Sequence, residues 1–273
     1  MSHYIIAAAA FALYFIAGLL LARRLFREGG MDAGPGKLRK NHIILIGLVA
    51  VLLHAVLLYQ SLFVPEGLNI GFINAISLIT WLIALLILLA ALSNPVENLG
   101  VILLPIAGLA VLAEVLFPSE HTLLAAQAME LKLHILMSVL AYSLLSIAAG
   151  QALLLAVQDN HLRNKRPGGF IRALPPLQTM ETLLFQMIGL GLALLTASLL
   201  TGTLYIEDMF AQHLVHKTIL SMVAWVVFAT LLWGRWRFGW RGRTAIRWTL
   251  SGFVVLLLAY IGSKLVLEIF LGH

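Results

Sequence analysis

The sequence contains no cysteine among its 273 residues. Without a thiol, the chain can form no disulfide, offer no thiolate to a metal and use no cysteine as a nucleophile. Covalent thioether attachment of a cofactor to this chain is excluded for the same reason. The absence does not identify the cellular compartment, so the location has to be inferred from other features of the sequence.

Charged residues are also scarce, at 11% of the chain, whereas hydrophobic residues make up 61%. Soluble domains carry about 25% charged and about 45–50% apolar residues. A water-soluble protein of this size could not bury so much apolar surface, and the mean hydropathy of +0.98 leads to the same conclusion. The composition therefore predicts an all-α, multi-pass membrane protein.

Apolar stretches of about 20 residues, the length that crosses the hydrocarbon core as a helix, occur eight times. Glycine, proline and asparagine fill the breaks between them, and the shortest break is near residues 93–99. No loop exceeds about 20 residues, which leaves no room for a soluble catalytic domain. We predict a single transmembrane domain over residues 1–273 with spans at about 4–22, 42–61, 73–92, 99–117, 132–157, 181–204, 216–234 and 247–268.

The basic residues are concentrated in the loops after the first, fifth and seventh spans, which hold 15 of the 18 lysines and arginines. The positive-inside rule places these loops in the cytoplasm. Both termini are then external, and the first span is expected to be an uncleaved helix because its basic residues follow it. The net charge of +6 is explained by this topology and by contact with anionic lipid, so it requires no nucleic-acid partner.

The fifth span carries a stripe of polar and small side chains. These residues recur every four positions and therefore share one helix face: His134, Ser138, Tyr142, Ser146 and Gly150. Such a face is expected to contact other helices rather than lipid. It can serve close packing with hydrogen bonds between helices, or it can line a polar path or a binding site.

Two histidines lie within spans at comparable depth. His134 is about one turn from the external end of its span, and His54 is in the outer half of the second span. Neutral imidazole is a good ligand for iron, so this pair is suited to the two axial positions of a haem. That arrangement requires the second and fifth spans to touch. The alternative is that each histidine is a hydrogen-bonded core residue.

Other polar and aromatic residues extend the predicted site. Lys217 and Lys264 lie near the external rim, where they could receive carboxylates such as haem propionates or simply extend to the interface. Tyr142 belongs to the stripe. Trp225 lies within a span, where we expect it either to border a planar ligand or to pack in the core. Glu114 is expected near the rim, and the lack of a carboxylate at mid-depth argues against coupling to an ion.

No constellation of catalytic residues is apparent. The sequence has no Walker loop, no dinucleotide-binding glycine motif and no His-Glu-x-x-His pair. It also places no nucleophile beside a base and no two carboxylates at reactive spacing. We therefore expect a binding or transfer protein rather than an enzyme.

Four segments of the chain together resemble one family of membrane proteins. They are Leu133-His134 with Ser138, Ala141-Tyr142 and Gly150; Lys217-Thr218 with Trp225 and Gly239-Trp240-Arg241-Gly242-Arg243; Ala259-Tyr260-Ile261-Gly262-Ser263; and Leu53-His54-Ala55. In these residues the chain resembles the cytochrome c assembly superfamily, the integral membrane haem-handling proteins of the CcsA and CcmC type. The likeness is closer to the smaller HemX-like and YpjD-like branch.

The resemblance implies a helix bundle in the bacterial inner membrane that binds or passes haem b near the external face. It matches His134 to an external haem-ligand histidine of the family and His54 to a histidine of the smaller branch. Residues 202–217 contain no tryptophan, where the larger members carry a tryptophan-rich haem-presenting motif. Trp233 stands where they have an intramembrane histidine. These departures favour an accessory or regulatory protein, with a cytochrome-assembly protein or another membrane protein as its partner.

Two other functions stay open on the sequence alone. The stripe that begins at His134 could be a polar path in a transporter for ions or small solutes, or in an accessory subunit of one. It could equally serve assembly only, in a structural membrane partner that binds no ligand.

Overall fold

Helices account for most of the computed structural model, as expected in a membrane, where a helix satisfies its own backbone hydrogen bonds. The structure describes residues 2–28, 40–65, 67–118, 122–124, 129–164, 169–205 and 212–265. Within these ranges, eight helices are long and apolar enough to cross a membrane, which confirms the eight predicted spans. The helices are α1 (Ser2–Glu28), α2 (Lys40–Leu62), α3 (Phe72–Ser93), α4 (Glu97–Leu116), α5 (Met129–Arg163), α6 (Leu177–Tyr205), α7 (Gln212–Phe238) and α8 (Gly242–Leu265). The external position of the termini stays a prediction.

The longest helix, α5, has 35 residues, whereas the sequence predicted a span of 132–157. At 1.5 Å per residue this helix is about 52 Å long, well beyond the roughly 30 Å of the hydrocarbon core. Its last turn carries His161 and Arg163. The polar residues that end the apolar run therefore continue the helix beyond the membrane.

A small antiparallel sheet, which the sequence analysis did not predict, joins two loops. The strand β1 (Phe63–Val64) pairs with β2 (Gly67–Asn69), which pairs in turn with β3 (Thr122–Leu124). The register places Phe63 opposite Leu68, and Leu68 opposite Leu123. Strands of two or three residues are too short to show an alternating pattern in the sequence. The sheet connects the loop after α2 with the loop after α4.

The chain divides into two compact units. The first comprises Met1–Ala126 and His161–Pro175, and it contains α1–α4, the sheet and a 3-10 turn (Gly169–Ala173). The second comprises Gln127–Asn160 and Pro176–His273, and it contains most of α5 together with α6–α8. The single transmembrane domain over 1–273 stays a prediction.

In the first unit, α1 and α4 approach closely where glycines face bulky side chains. A Cβ atom on Gly18 would come within 3.0 Å of the Pro105 ring, and one on Gly100 within 2.7 Å of Leu21. Lipid tails are as apolar as the helix surface, so association in a membrane depends on close packing of this kind. The absence of a side chain at these positions allows the two helix backbones to approach.

In the second unit, the turn between α7 and α8 is attached to α6. Gly242 has a φ angle of 53°, and the ring of Trp240 folds back onto α7 where Gly234 leaves room for it. The buried carboxylate of Glu181 on α6 accepts hydrogen bonds from the Gly242 backbone N–H at 2.7 Å and from Arg241 Nε at 3.2 Å. The Gly-Trp-Arg-Gly motif of the sequence therefore forms a defined turn with a carboxylate partner on a neighbouring helix.

Candidate ligand-binding site

A pocket of about 200 Å³ lies among the four helices of the second unit. Three residues of the predicted stripe line it, namely His134, Ser138 and Tyr142, and so do Lys217 of α7 and Tyr260 of α8. Leucine side chains of α6 and small residues complete the lining. The fold thus brings three of the predicted binding residues, His134, Tyr142 and Lys217, to one place.

His134 is held in one orientation by α6. Its Nδ1 lies 2.9 Å from the carbonyl oxygen of Ser198 and 3.3 Å from the hydroxyl oxygen of Thr201. A carbonyl oxygen can only accept, so Nδ1 carries the proton and donates to it. In the neutral ring the lone pair is then on Nε2, which is the arrangement of a histidine that ligates a metal. The Nε2 lone pair of this partly buried imidazole is therefore suited to coordinate a metal ion.

The other stripe residues join α5 to its neighbours. The Ser138 hydroxyl donates to the His134 carbonyl at 2.7 Å, so the Ser198 hydroxyl, also at 2.7 Å, donates to Ser138. Tyr142 donates to the carbonyl of Leu256 in α8 at 3.1 Å, and its ring centre lies 5.7 Å from that of Tyr260. One helix face therefore packs α5 against α6 and α8 and also lines the pocket.

Trp225, another residue of the predicted site, is not among the described residues that line the pocket. Trp225 lies elsewhere on α7, where its indole N–H donates to the Thr196 hydroxyl of α6 at 2.8 Å. This is a packing contact between α6 and α7. The side chain of Lys264 lies outside the described residues.

His54 belongs to the first unit, whereas His134 belongs to the second. The His54 ring is fully buried, and both of its nitrogens have hydrogen-bond partners. Nδ1 lies 3.2 Å from the Tyr14 hydroxyl, and Nε2 lies 2.8 Å from the Ser77 hydroxyl. These contacts are those of a hydrogen-bonded core residue. The pairing of His54 with His134 at a haem stays a prediction.

A carboxylate completes the hydrogen-bond network around His54. Glu114 lies close to the end of α4, as the sequence suggested, but its side chain is turned into the unit and the residue is only 4% exposed. One carboxylate oxygen accepts from Ser61 at 2.5 Å, and the other accepts from Ser77. The second oxygen also lies 3.8 Å from His54 Nε2. Together with Tyr14, these residues form one connected polar network that draws on all four helices of the first unit.

Sequence reasoning missed this network because its members are far apart along the chain. Serine and tyrosine are common enough in apolar spans that Tyr14 and Ser77 stand out little by themselves. The available signal was Glu114, because an acidic residue within a span is costly unless it has partners inside the bundle. Its partners, however, come from helices whose arrangement the sequence does not specify.

Comparisons with known proteins identify the family of this chain and several of its relatives. The family model described as cytochrome c assembly protein matches residues 42–271. The inner membrane protein YpjD of Escherichia coli (strain K12) is 35% identical over 247 residues, which cover 86% of this chain and 92% of that protein. The chain belongs to the cytochrome c assembly protein family, and its similarity to YpjD places it in the YpjD-like branch.

Two other relatives match shorter parts of the chain. The cytochrome c biogenesis protein CcsA of Gloeothece citriformis (strain PCC 7424) is 29% identical over 112 residues, which are 40% of this chain and 34% of that protein. An uncharacterized 28.8 kDa protein of Azospirillum brasilense is 40% identical over 142 residues, which are 51% of this chain and 52% of that protein. No solved structure matches this chain. The eight spans and the named relatives identify a multi-pass protein of the bacterial inner membrane.

Proposed function

We propose that this chain is an accessory or regulatory haem-handling protein of cytochrome c assembly. Haem b would be held at the pocket of the second unit, with His134 as an axial ligand. The observation that carries the proposal is the hydrogen bond from His134 Nδ1 to the Ser198 carbonyl. A bond of this kind holds the ring and its tautomer and leaves Nε2 as the basic nitrogen, as in histidines that ligate metals. Membership of the family is the reason for choosing haem as the ligand.

The residues of the pocket fit a haem group chemically. His134 supplies an imidazole for the iron, and Lys217 supplies a cation for a propionate. The rings of Tyr142 and Tyr260 lie beside each other and suit contact with a planar macrocycle. When bound, haem supplies a redox-active iron whose potential depends on its axial ligands and its burial. The residues of this chain bind and orient the group, and no covalent step is assigned to them.

The size of the pocket favours temporary binding. At about 200 Å³ it is smaller than the pockets of about 300–1,000 Å³ that enclose most of a drug-sized ligand. It can therefore enclose only part of a haem group. Partial enclosure suits a protein that receives the group and passes it on better than one that stores it.

Lys264 and His54, the remaining predicted ligands, contribute less to the proposed site than His134 does. Lys264 would provide a second cation for a propionate. Ligation by His54 would require its hydrogen bonds to Tyr14 and Ser77 to break. His134 is therefore the ligand on which the proposal depends, and the experiment below tests whether His54 is a second one.

The test is the visible absorption spectrum of the purified chain with added haem, first oxidised and then reduced with dithionite. We expect a Soret band in the wild-type protein and its loss in His134→Ala. The matched control is His42→Ala, which removes an exposed histidine and should leave the spectrum unchanged. A change from a low-spin to a high-spin spectrum in His54→Ala would establish His54 as the second ligand.

Two results would contradict the proposal at different levels. A flat spectrum of the wild-type protein after addition of haem would exclude haem as the ligand of this pocket. A Soret band that is unchanged in His134→Ala would show that haem binds but that His134 does not ligate it.

A further inference from the structure

The turn between α7 and α8 in the second unit is rich in aromatic and basic residues. Three tryptophans and four arginines lie between residues 233 and 243, and Arg247 and Trp248 follow in α8. The span of α7 ends at Phe238 and that of α8 begins at Gly242, so the turn lies at a membrane face. Tryptophan and arginine are suited to the layer where lipid headgroups meet the hydrocarbon. The side chains of residues 233–248 are called the turn surface below.

The aromatic rings of the turn surface form a continuous row from α7 to α8. The ring centre of Phe238 lies 5.4 Å from that of Trp233 and 6.4 Å from that of Trp240. The ring of Trp240 lies in turn 5.4 Å from that of Trp248. Aromatic pairs with ring centres about 4.5–7 Å apart stabilise each other. The buried carboxylate of Glu181 fixes the same turn from α6 through two hydrogen bonds, so the turn surface has a defined shape.

Two arginines of the turn surface are paired with carboxylates. Arg241 Nε lies 3.2 Å from a carboxylate oxygen of Glu181. Arg243 Nε lies 3.0 Å from a carboxylate oxygen of Asp159 on α5. These two ion pairs cancel two positive charges and occupy both carboxylates.

The other three arginines keep their charge. Arg235 donates to the Trp240 carbonyl at 3.2 Å and lies 4.8 Å from the centre of the Phe185 ring, and neither partner is charged. Arg237 and Arg247 are exposed, and no carboxylate among the described residues forms an ion pair with either. With both nearby carboxylates already paired, the turn surface carries three uncompensated positive charges. It therefore selects an anion.

The tryptophans of the turn surface offer further donors. An indole N–H can only donate, and those of Trp81 and Trp225 within the spans donate to a backbone carbonyl and to a hydroxyl. The indole N–H groups at the turn have no acceptor in the part of the chain that the structure describes: Trp233, Trp236, Trp240 and Trp248. Arginine is also a donor only. A ligand of this surface must therefore supply both acceptors and negative charge.

The exposed rings favour a lipid over a soluble anion. Trp236 is 83% exposed, and Trp233 and Phe238 are each more than half exposed. A soluble phosphate ester would leave this apolar surface in contact with water, whereas the chains of a lipid would cover it. Phosphate oxygens also match the planar donors of arginine.

We propose that the turn surface binds the headgroup of an anionic phospholipid. The phosphate oxygens accept from the uncompensated arginines and from the indole N–H groups, and the acyl chains lie against the exposed rings. A zwitterionic phospholipid binds more weakly, because its own cation offsets the attraction between its phosphate and the arginines. The site does not depend on the haem proposal.

The experiment measures quenching of tryptophan fluorescence by phospholipids with brominated acyl chains, added to the purified full-length protein in mixed micelles. Bromine quenches only on contact. We expect brominated phosphatidylglycerol to quench at a mole fraction about tenfold lower than brominated phosphatidylcholine does, and added salt to reduce this preference. If glycerol 3-phosphate reverses the quenching at concentrations equal to those of the lipid, the ligand is a free phosphate ester and the lipid is the wrong source.

Variants then locate the site. We expect Arg237→Gln and Arg247→Gln each to reduce the preference for phosphatidylglycerol by about fivefold, the contribution of one basic residue near an anionic lipid surface. Both side chains are exposed and outside any ion pair, so the variants should fold as the wild-type protein does. The matched control is Arg23→Gln, because Arg23 is an exposed arginine near the end of a span in the first unit. Its preference should equal that of the wild-type protein.

Two results would overturn the proposal. Equal quenching by the two phospholipids would show that the turn surface does not select an anionic headgroup. If Arg23→Gln reduced the preference as much as Arg237→Gln does, the preference would belong to the net positive charge of the whole protein, and no lipid site at the turn would be needed to explain it.

Discussion

His54 in the first unit and His134 in the second both lie within membrane spans, and the two residues have different surroundings. In the first unit, His54 is fully buried and both of its ring nitrogens have side-chain partners. In the second, His134 is partly buried, donates to a backbone carbonyl and lines a pocket. The sequence placed both at comparable depth. The hydrogen-bond partners of a polar side chain, more than its depth in a span, therefore determine whether it can bind a ligand.

The partners differ because the two units satisfy their polar groups in different ways. In the first unit, the Glu114 carboxylate accepts from two serines, and one of these serines contacts His54. A network in which every member has a partner rigidifies a core and leaves little capacity for a ligand. In the second unit, His134 uses a backbone carbonyl, which needs no other side chain, so Nε2 is left to bind. Substitutions in the two units should therefore separate stability from ligand binding.

The largest loss of stability is expected for His54→Ala. Removal of the imidazole opens a cavity and deprives Ser77 and the buried Glu114 carboxylate of a partner. We expect the free energy of unfolding to fall by about 3–5 kcal/mol, as measured by reversible unfolding in mixed micelles. His42→Ala, at an exposed position on the same helix, should change it by less than about 0.5 kcal/mol. Similar small effects of both substitutions would show that the network contributes little to stability.

A smaller loss is expected for Gly234→Ala in the second unit. A Cβ atom at this position would lie 2.3 Å from the Trp240 ring, so the α7–α8 turn would have to shift. We expect a destabilisation of about 1–3 kcal/mol, as measured by thermal unfolding followed by circular dichroism. In the control Gly189→Ala the added Cβ meets no neighbouring side chain and no other helix within 4 Å, and the higher helix propensity of alanine favours the folded state by up to about 1 kcal/mol. If Gly234→Ala were as stable as Gly189→Ala, the ring contact would not hold the turn.

A still smaller effect on stability is expected for His134→Ala, together with loss of the Soret band. The hydrogen bond to the Ser198 carbonyl is partly exposed, so its removal should cost about 0.5–1.5 kcal/mol. Unfolding and visible absorption are measured on the same preparation. A destabilisation as large as that of His54→Ala would instead identify His134 as a second core residue and would remove the contrast between the units.

The smallest effect is expected for Lys217→Gln. A lysine at a partly exposed rim stabilises a bound propionate by up to about 1 kcal/mol, and added salt reduces that contribution. A haem titration at low and at high salt should show weaker binding of the variant at low salt only. Lys132→Gln is the matched control, because Lys132 is exposed on α5 and does not line the pocket. Equal affinities of Lys217→Gln and the wild-type protein at low salt would exclude the lysine from the site.

Several parts of the site could be predicted from the sequence because they depend on one helix at a time. The four-residue spacing of His134, Ser138 and Tyr142 indicates a shared face, and these three residues do line one pocket. The sequence left two roles open for Trp225, contact with a planar ligand and packing in the core, since its partner Thr196 is on another helix. The buried position of Glu114 was missed for the same reason, because Ser61 and Ser77 are 53 and 37 residues away along the chain.

The membrane class, the eight spans and the polar stripe of α5 could be predicted from the sequence, because hydropathy and helical periodicity are properties of neighbouring residues. Which polar groups have hydrogen-bond partners depends instead on how the helices pack in the folded protein. His54 and its partner Tyr14 are 40 residues apart, and His134 and Ser198 are 64 residues apart. A hydrogen bond requires two atoms to lie within about 3 Å of each other in a given direction, and in a folded chain that geometry is set by how the helices pack.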